Sequence, residues 1–166
     1  PLATSTMRVA VAGKELHFES GGMARQASGA VTVRSGDTHV FCAACFEKVD
    51  ELQPIDFTPL RVDYFERKSS VGRTNGGFIK RDGRPSDHET LIARIIDRPI
   101  RPLIADGWSL ETQLTAYVLA CDEHNVPDVM AVCAASASLA LSEVPFAKPI
   151  SCVRVGYIPA SLAGDG

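Results

Sequence analysis

Residues 127–143 read PDVMAVCAASASLALSE. The proline sits where a helix tolerates it, in the first turn, and Pro145 and Pro149 close the segment. Ala131, Ala134, Ala135, Ser136, Ala137, Ser138 and Ala140 leave almost no polar face. A helix that is apolar all round must be buried, and side chains this small let its backbone come very close to whatever covers it. The segment therefore predicts a helix lying directly on a sheet, and the rest of the chain has to supply that sheet.

The first 46 residues can do so. MRVAVA (7–12) and ELHFES (15–20) flank Gly13-Lys14, which suits a tight hairpin with glycine first in the turn. GAVTVR (29–34) and THVFCAACFE (38–47) flank Ser35-Gly36-Asp37. Val31 and Val33 alternate with Thr32 and Arg34, one buried face and one wet face, whereas 40–46 is apolar on both faces and reads as a central strand. LRVDYF (60–65), SLETQLTAYVLAC (109–121) and ISCVRVGYI (150–158) are further strands. The expected fold class is α+β, an antiparallel or mixed sheet with helices on one face. Because the chain stops just after its last strand, leaving an unpaired edge, the domain is expected to be incomplete. The ends, 1–6 and 159–166, are expected to be flexible.

Between the strands lies the most unusual stretch. ERKSSVGRTNGGFIKRDGRP (66–85) is glycine-rich without periodicity, a length of loop that compact domains keep mainly for function. A helix follows. Ser86 with Glu89 three residues later forms a capping-box pattern, Leu91, Ile92, Ile95 and Ile96 make an apolar stripe, and Pro99 predicts an end at Arg98. The chain carries a formal charge of −3, yet residues 61–101 hold ten Lys or Arg against six Asp or Glu. Lys80, Arg81 and Arg84 lie on the loop, and Arg94, Arg98 and Arg101 follow at helical spacing. Guanidinium groups bind phosphate bidentately, and Phe78 beside them can stack on a nucleobase. The competing reading is a solvated helix whose arginines pair with Asp87, Glu89, Asp97 and Asp106.

Other chemistries find little support. Cys42 and Cys45 form a C-x-x-C, but zinc needs two more ligands, and positions i and i+3 of a strand face opposite ways. With Cys121, Cys133 and Cys152 they make an odd number in apolar segments, read as reduced, buried thiols. His17, His39, His88 and His124 are scattered, and the adjacent acids Asp50-Glu51 and Asp122-Glu123 have no catalytic spacing. The glycine-rich segments lack the Gly-Lys-Ser/Thr ending of a Walker A loop. No apolar run approaches the ~20 residues of a membrane-spanning helix. The chain begins with Pro1 and no signal-like segment, which points to processing or trimming.

The residues FIKRDGRPSDHETLIARIIDRPIRPL, preceded by VGRTNGG and followed by PDVMAVCAASASLALSEVPFAKPI and VRVGYI, closely resemble the first RNase PH-like core domain of the polynucleotide phosphorylase family. ESGGMARQASGAVTV fits as well, and the likeness covers residues 7–158. It implies an RNase PH-like fold. It also implies a phosphorolytic 3′→5′ exoribonuclease, in which inorganic phosphate attacks the terminal phosphodiester and nucleoside diphosphates leave; the reverse reaction extends RNA. The family implies a homotrimer with RNA in a central channel, Mg²⁺ as cofactor, and catalytic groups in a second core domain, so no catalytic or metal-binding residue is expected here. Phe78, Ile79, Lys80 and Arg81 match the family's channel-constriction motif, with Ile79 replacing an aromatic. Arg84, Arg94, Arg98, Arg101 and Arg154 match arginines near the RNA path. GRTNGGF and DHE suggest the chloroplast type, hence an organellar matrix (chloroplast stroma or mitochondrial matrix), with the bacterial cytoplasm as the alternative. Single-stranded RNA 3′ ends are the expected partner, and no membrane. Two other readings stay open: a catalytically silent RNA-binding or scaffold piece of a larger ribonucleoprotein, and a single-domain RNase PH or exosome subunit.

Overall fold

In the computed structural model of the chain, residues 4–11, 13–47, 55–78 and 80–158 are described. Among them the order is β1 (Ser5–Val11), β2 (Lys14–Ser20), β3 (Gly29–Ser35), β4 (Thr38–Phe46), β5 (Leu60–Phe65), α1 (Asp87–Ile100), β6 (Thr112–Ala120) and α2 (Pro127–Leu141). Short 3-10 turns occupy Lys68–Val71 and Arg101–Leu103. The strands form one sheet in the order β1-β2-β3-β4-β6-β5. β1 to β4 are an antiparallel meander, β6 adds antiparallel to β4, and β5 closes the far edge parallel to β6. The two-sided apolar strand is central, as its composition requires.

Both helices cover the same face. Val31, Val33, Val40, Cys42, Ala44, Leu114, Ala116 and Val118 are buried beneath α2 residues such as Ala131, Ala134, Ala135 and Leu139. α2 lies so close to β3 that a Cβ placed on Gly29 would stand 2.0 Å from the Ser138 carbonyl oxygen. The small-residue helix thus has the backbone approach its composition predicts. α1 packs against β5 and α2, burying Ile92, Ile96 and Ile100.

Several expectations are corrected. Lys14 pairs with Val11, so Gly13 (φ +77°) ends the first connection instead of starting it. Lys14 is held in that register by Nζ hydrogen bonds to the His124 carbonyl and Asn125 Oδ1, each 3.0 Å. Likewise Ser35 pairs with Thr38, leaving only Gly36-Asp37 in the second turn. The buried stripe of α1 is Glu89, Ile92, Ile96 and Ile100, while Leu91 and Ile95 are about half exposed. Glu89 is drawn inward by hydrogen bonds, which turns the helix away from the purely apolar alignment. α1 also runs through Pro99 to Ile100. The missing N–H falls in the last turn, where it removes a single bond, and the N–H of Arg101 still reaches the Asp97 carbonyl. Residues 150–158 form no strand, since they pair with neither sheet edge, and Val153, Val155, Tyr157 and Ile158 are exposed. Of the five thiols only Cys42 is buried, and burial pushes its pKa to about 12. Cys45 is exposed on the helix-free face of the sheet. Asp50-Glu51 lies outside the described residues.

Candidate functional site

The loop after β5 is built on one carboxylate. Glu89 Oε1 accepts the Glu66 N–H at 2.8 Å, and Oε2 accepts the N–H and Oγ–H of Ser86 at 2.7 and 3.0 Å. In return the Glu89 N–H donates to Ser86 Oγ, completing the capping box. Both ends of residues 66–86 are therefore held by a single side chain. Burial raises the Glu89 pKa, but the bonds from Glu66 and Ser86 and the nearby Arg67 charge outweigh it, so the net shift is downward. A depressed carboxylate contributes stability that is complete above the ordinary value of 4.5 and fades as pH falls through the folded value. Glu89→Gln is expected to cost about 1–2 kcal/mol at neutral pH, since its amide cannot accept all three donors. Urea unfolding measured at several pH values should show a flatter acid limb for the variant; an unchanged limb would exclude Glu89 as its source.

Above this anchor the loop narrows again. Asn75 Nδ2 donates to Asp82 Oδ1 at 2.6 Å, and the Arg67 guanidinium lies 3.8 Å from the same oxygen. The Ser70 carbonyl accepts the Cys121 N–H at 3.0 Å, tying the start of the loop to the end of β6. The tip between Asn75 and Asp82 is thereby closed at its base. Gly77 (φ +87°) and Lys80 (φ +51°) adopt left-handed backbone, a conformation that costs a lysine roughly 1–2 kcal/mol. The result is that Phe78 is 103% exposed, with Lys80 and Arg81 also in solvent. Ile79 lies outside the described residues.

The remaining basic residues divide. Arg84, Arg94 and Arg98 are exposed and form no ion pair among the described residues. Arg101 is engaged on all sides: Nε and Nη2 donate to Asp97 at 3.2 and 2.7 Å, Nη1 to the Thr58 carbonyl at 2.7 Å, and Nη2 to that of Leu60 at 3.0 Å. Its visible role is to fasten α1 to the start of β5. Arg154 pairs with Asp128 in the first turn of α2. Arg67, Asn75 and Asp82 escaped sequence reasoning, because their link across the loop has no local pattern; Glu89 was visible only as a cap. Asp122, which had no catalytic spacing, organises a turn: four N–H donors from Asp37, His124 and Asn125 hold its carboxyl well below the usual range.

Residues 12–145 match the RNase PH family, described as the 3′ exoribonuclease family, domain 1. The chain is 50% identical over 157 residues to the polyribonucleotide nucleotidyltransferase of Protochlamydia amoebophila, covering 95% of this chain and 22% of that protein. It is 53% identical over 146 residues to the enzyme of that name from Acidobacterium capsulatum, covering 88% and 18%. The chain thus spans about a fifth of the length of these curated relatives. Among solved structures it resembles the Archaeoglobus fulgidus exosome with RNA bound to the active site, with a TM-score of 0.55, 20% identity, and coverage of 78% of this chain and 52% of that one. That likeness shows a shared fold.

Proposed function

The chain belongs to the RNase PH 3′ exoribonuclease family, and on that premise we propose that it is the RNA-gripping part of a polyribonucleotide nucleotidyltransferase. The parent would degrade single-stranded RNA from its 3′ end with inorganic phosphate, releasing nucleoside diphosphates, and run in reverse to extend RNA. The observation that carries this reading is the loop tip closed by Asn75 and Asp82, which offers an aromatic ring and two cations to solvent together. Phe78 stacks on a base, Lys80 and Arg81 meet the adjoining phosphates, and Arg84, Arg94 and Arg98 continue the positive track along α1.

Homotrimeric assembly and an organellar matrix belong to the same proposal. They are supported by the family motifs and by the chloroplast-like GRTNGGF and DHE segments. Mg²⁺ enters it as a cofactor of the whole enzyme. Arg101 and Arg154 act as positioning residues for the strand and helix ends they fasten.

Phe78→Ala combined with Lys80→Ala is expected to weaken binding of a single-stranded oligoadenylate about tenfold to a hundredfold, since one stacked base contributes roughly 1–3 kcal/mol. The salt dependence should also fall, by roughly 0.7 in the log–log slope for the phosphate that Lys80 no longer neutralises. Fluorescence anisotropy across a salt series measures both, and unchanged affinity and slope would remove the loop from the RNA path. A second reading, a silent RNA-binding or scaffold piece, would rest on the same exposed loop tip. Release of ADP from poly(A) and phosphate by the full-length protein separates the two.

A further inference from the structure

The helix-free face of the sheet carries a second positive feature, far from the loop in sequence. Arg8 pairs with His17, His17 with Arg34, and Arg34 with His39. Directly paired residues share a face, so four basic or imidazole side chains form one row across β1, β2, β3 and β4. Like charges placed opposite one another on a sheet are destabilising. Neither Arg8 nor Arg34 has an ion-pair partner among the described residues, and Glu15, which pairs with Ala10 beside the row on the same face, sits 3.2 Å from His17 Nε2. Glu19, the next acid along β2, is turned aside: a Cβ on Gly22 would lie 2.7 Å from its carboxylate. Burial, and after it the Arg34 charge, push the His39 pKa down, with Asp37 opposing.

Beside the two middle members of the row is an open cavity of about 450 Å³, whose lining includes Lys14, Glu15, His17, Arg34, Gly36 and Asn125. Lys14 reaches it from β2, braced on Asn125. Arg34 uses Nε on the Gly36 carbonyl at 2.9 Å, and its two terminal nitrogens have no partner among the described residues. Asp122, beside Gly36, is no competing partner, because its oxygens are already covered by N–H donors. A fork of guanidinium donors, an ammonium and an imidazole around one cavity match a tetrahedral dianion or a phosphodiester.

We propose that this cavity is a phosphate-binding site, with Arg34 as its principal ligand, Lys14 and His17 on its wall, and Arg8 and His39 flanking it. The phosphate could be a free ion or part of an RNA backbone, and the cavity shares no lining residue with the Phe78 loop. The test is a titration of the imidazole ¹H–¹⁵N resonances of His17 and His39 in the full chain, at constant ionic strength. One arm adds inorganic phosphate, a second adds oligoadenylate, and sodium chloride is the control. Saturable movement in either of the first two arms supports the site, and the arm that saturates identifies the source. Arg34→Gln should weaken that binding at least fivefold, while Phe78→Ala with Lys80→Ala should leave it unchanged, which separates this site from the loop. Shifts that fail to saturate or that chloride reproduces overturn the proposal, as does binding that survives Arg34→Gln. The titration of the unsubstituted chain decides the matter even if a variant fails to fold.

Discussion

Alanine at Gly29 is expected to lower the unfolding free energy by about 3 kcal/mol, at the upper end of what overpacking costs. The added Cβ would stand 2.0 Å from the Ser138 carbonyl oxygen and 3.0 Å from the Ser142 nitrogen. Both are backbone atoms, so no side chain can swing away. Relief requires α2 to lift from β3, which loosens Ala134, Ala135 and Leu139 against the strand residues beneath them. Urea unfolding followed through Trp108, the only tryptophan, measures the loss. Gly76→Ala is the matched control, because a Cβ there meets nothing within 4 Å; it should stay within about 0.5 kcal/mol of the parent. Equal stability of the two variants would refute the close-approach account.

Arg101→Met is expected to cost about 2–3 kcal/mol while sparing RNA affinity, because each hydrogen bond from a charged donor is worth more than a neutral one. Methionine keeps much of the packing but abandons the Thr58 and Leu60 carbonyls and the Asp97 carboxylate. Partial exposure of the Arg101–Asp97 pair tempers the sum. Arg98→Met, on the exposed side of the same helix, should do the reverse: little change in stability and a severalfold weaker grip on RNA. Thermal unfolding and anisotropy on both variants give the comparison. If Arg101→Met leaves the fold intact and abolishes RNA binding, Arg101 is an RNA ligand and its contacts to β5 are incidental.

The contrast between these two arginines marks how far a sequence can be read. Local patterns were legible: the alternation of β3, the two-sided apolar β4, the Ser86–Glu89 capping box and the small-residue α2 each state their own environment. What failed depended on distant partners. Leu91 and Ile95 satisfy helical periodicity, but Glu89 turns α1 so that Ile92, Ile96 and Ile100 face inward. Residues 150–158 have strand composition yet pair with neither edge of the sheet. The Arg101–Asp97 pair was within reach of the helical spacing, but the carbonyls of Thr58 and Leu60 that Arg101 also holds lie far away in the chain. The row from Arg8 to His39 was invisible because its members sit on four strands and meet only through register.

The placement of the loop also bears on how the chain folds. β1 to β4 meet neighbours close in sequence, whereas β4 must find β6 across the excursion of residues 47–111. Contacts of such long range slow folding, and the meander offers a surface on which β6 and α2 can assemble later. Closure entropy rises only logarithmically, roughly 0.6 kcal/mol for each doubling of length. Since the β4–β6 ladder already spans the whole excursion, residues added at the Gly76–Gly77 tip would scarcely alter the folding equilibrium. The segment can therefore change in length and sequence while the sheet that carries it keeps the same register.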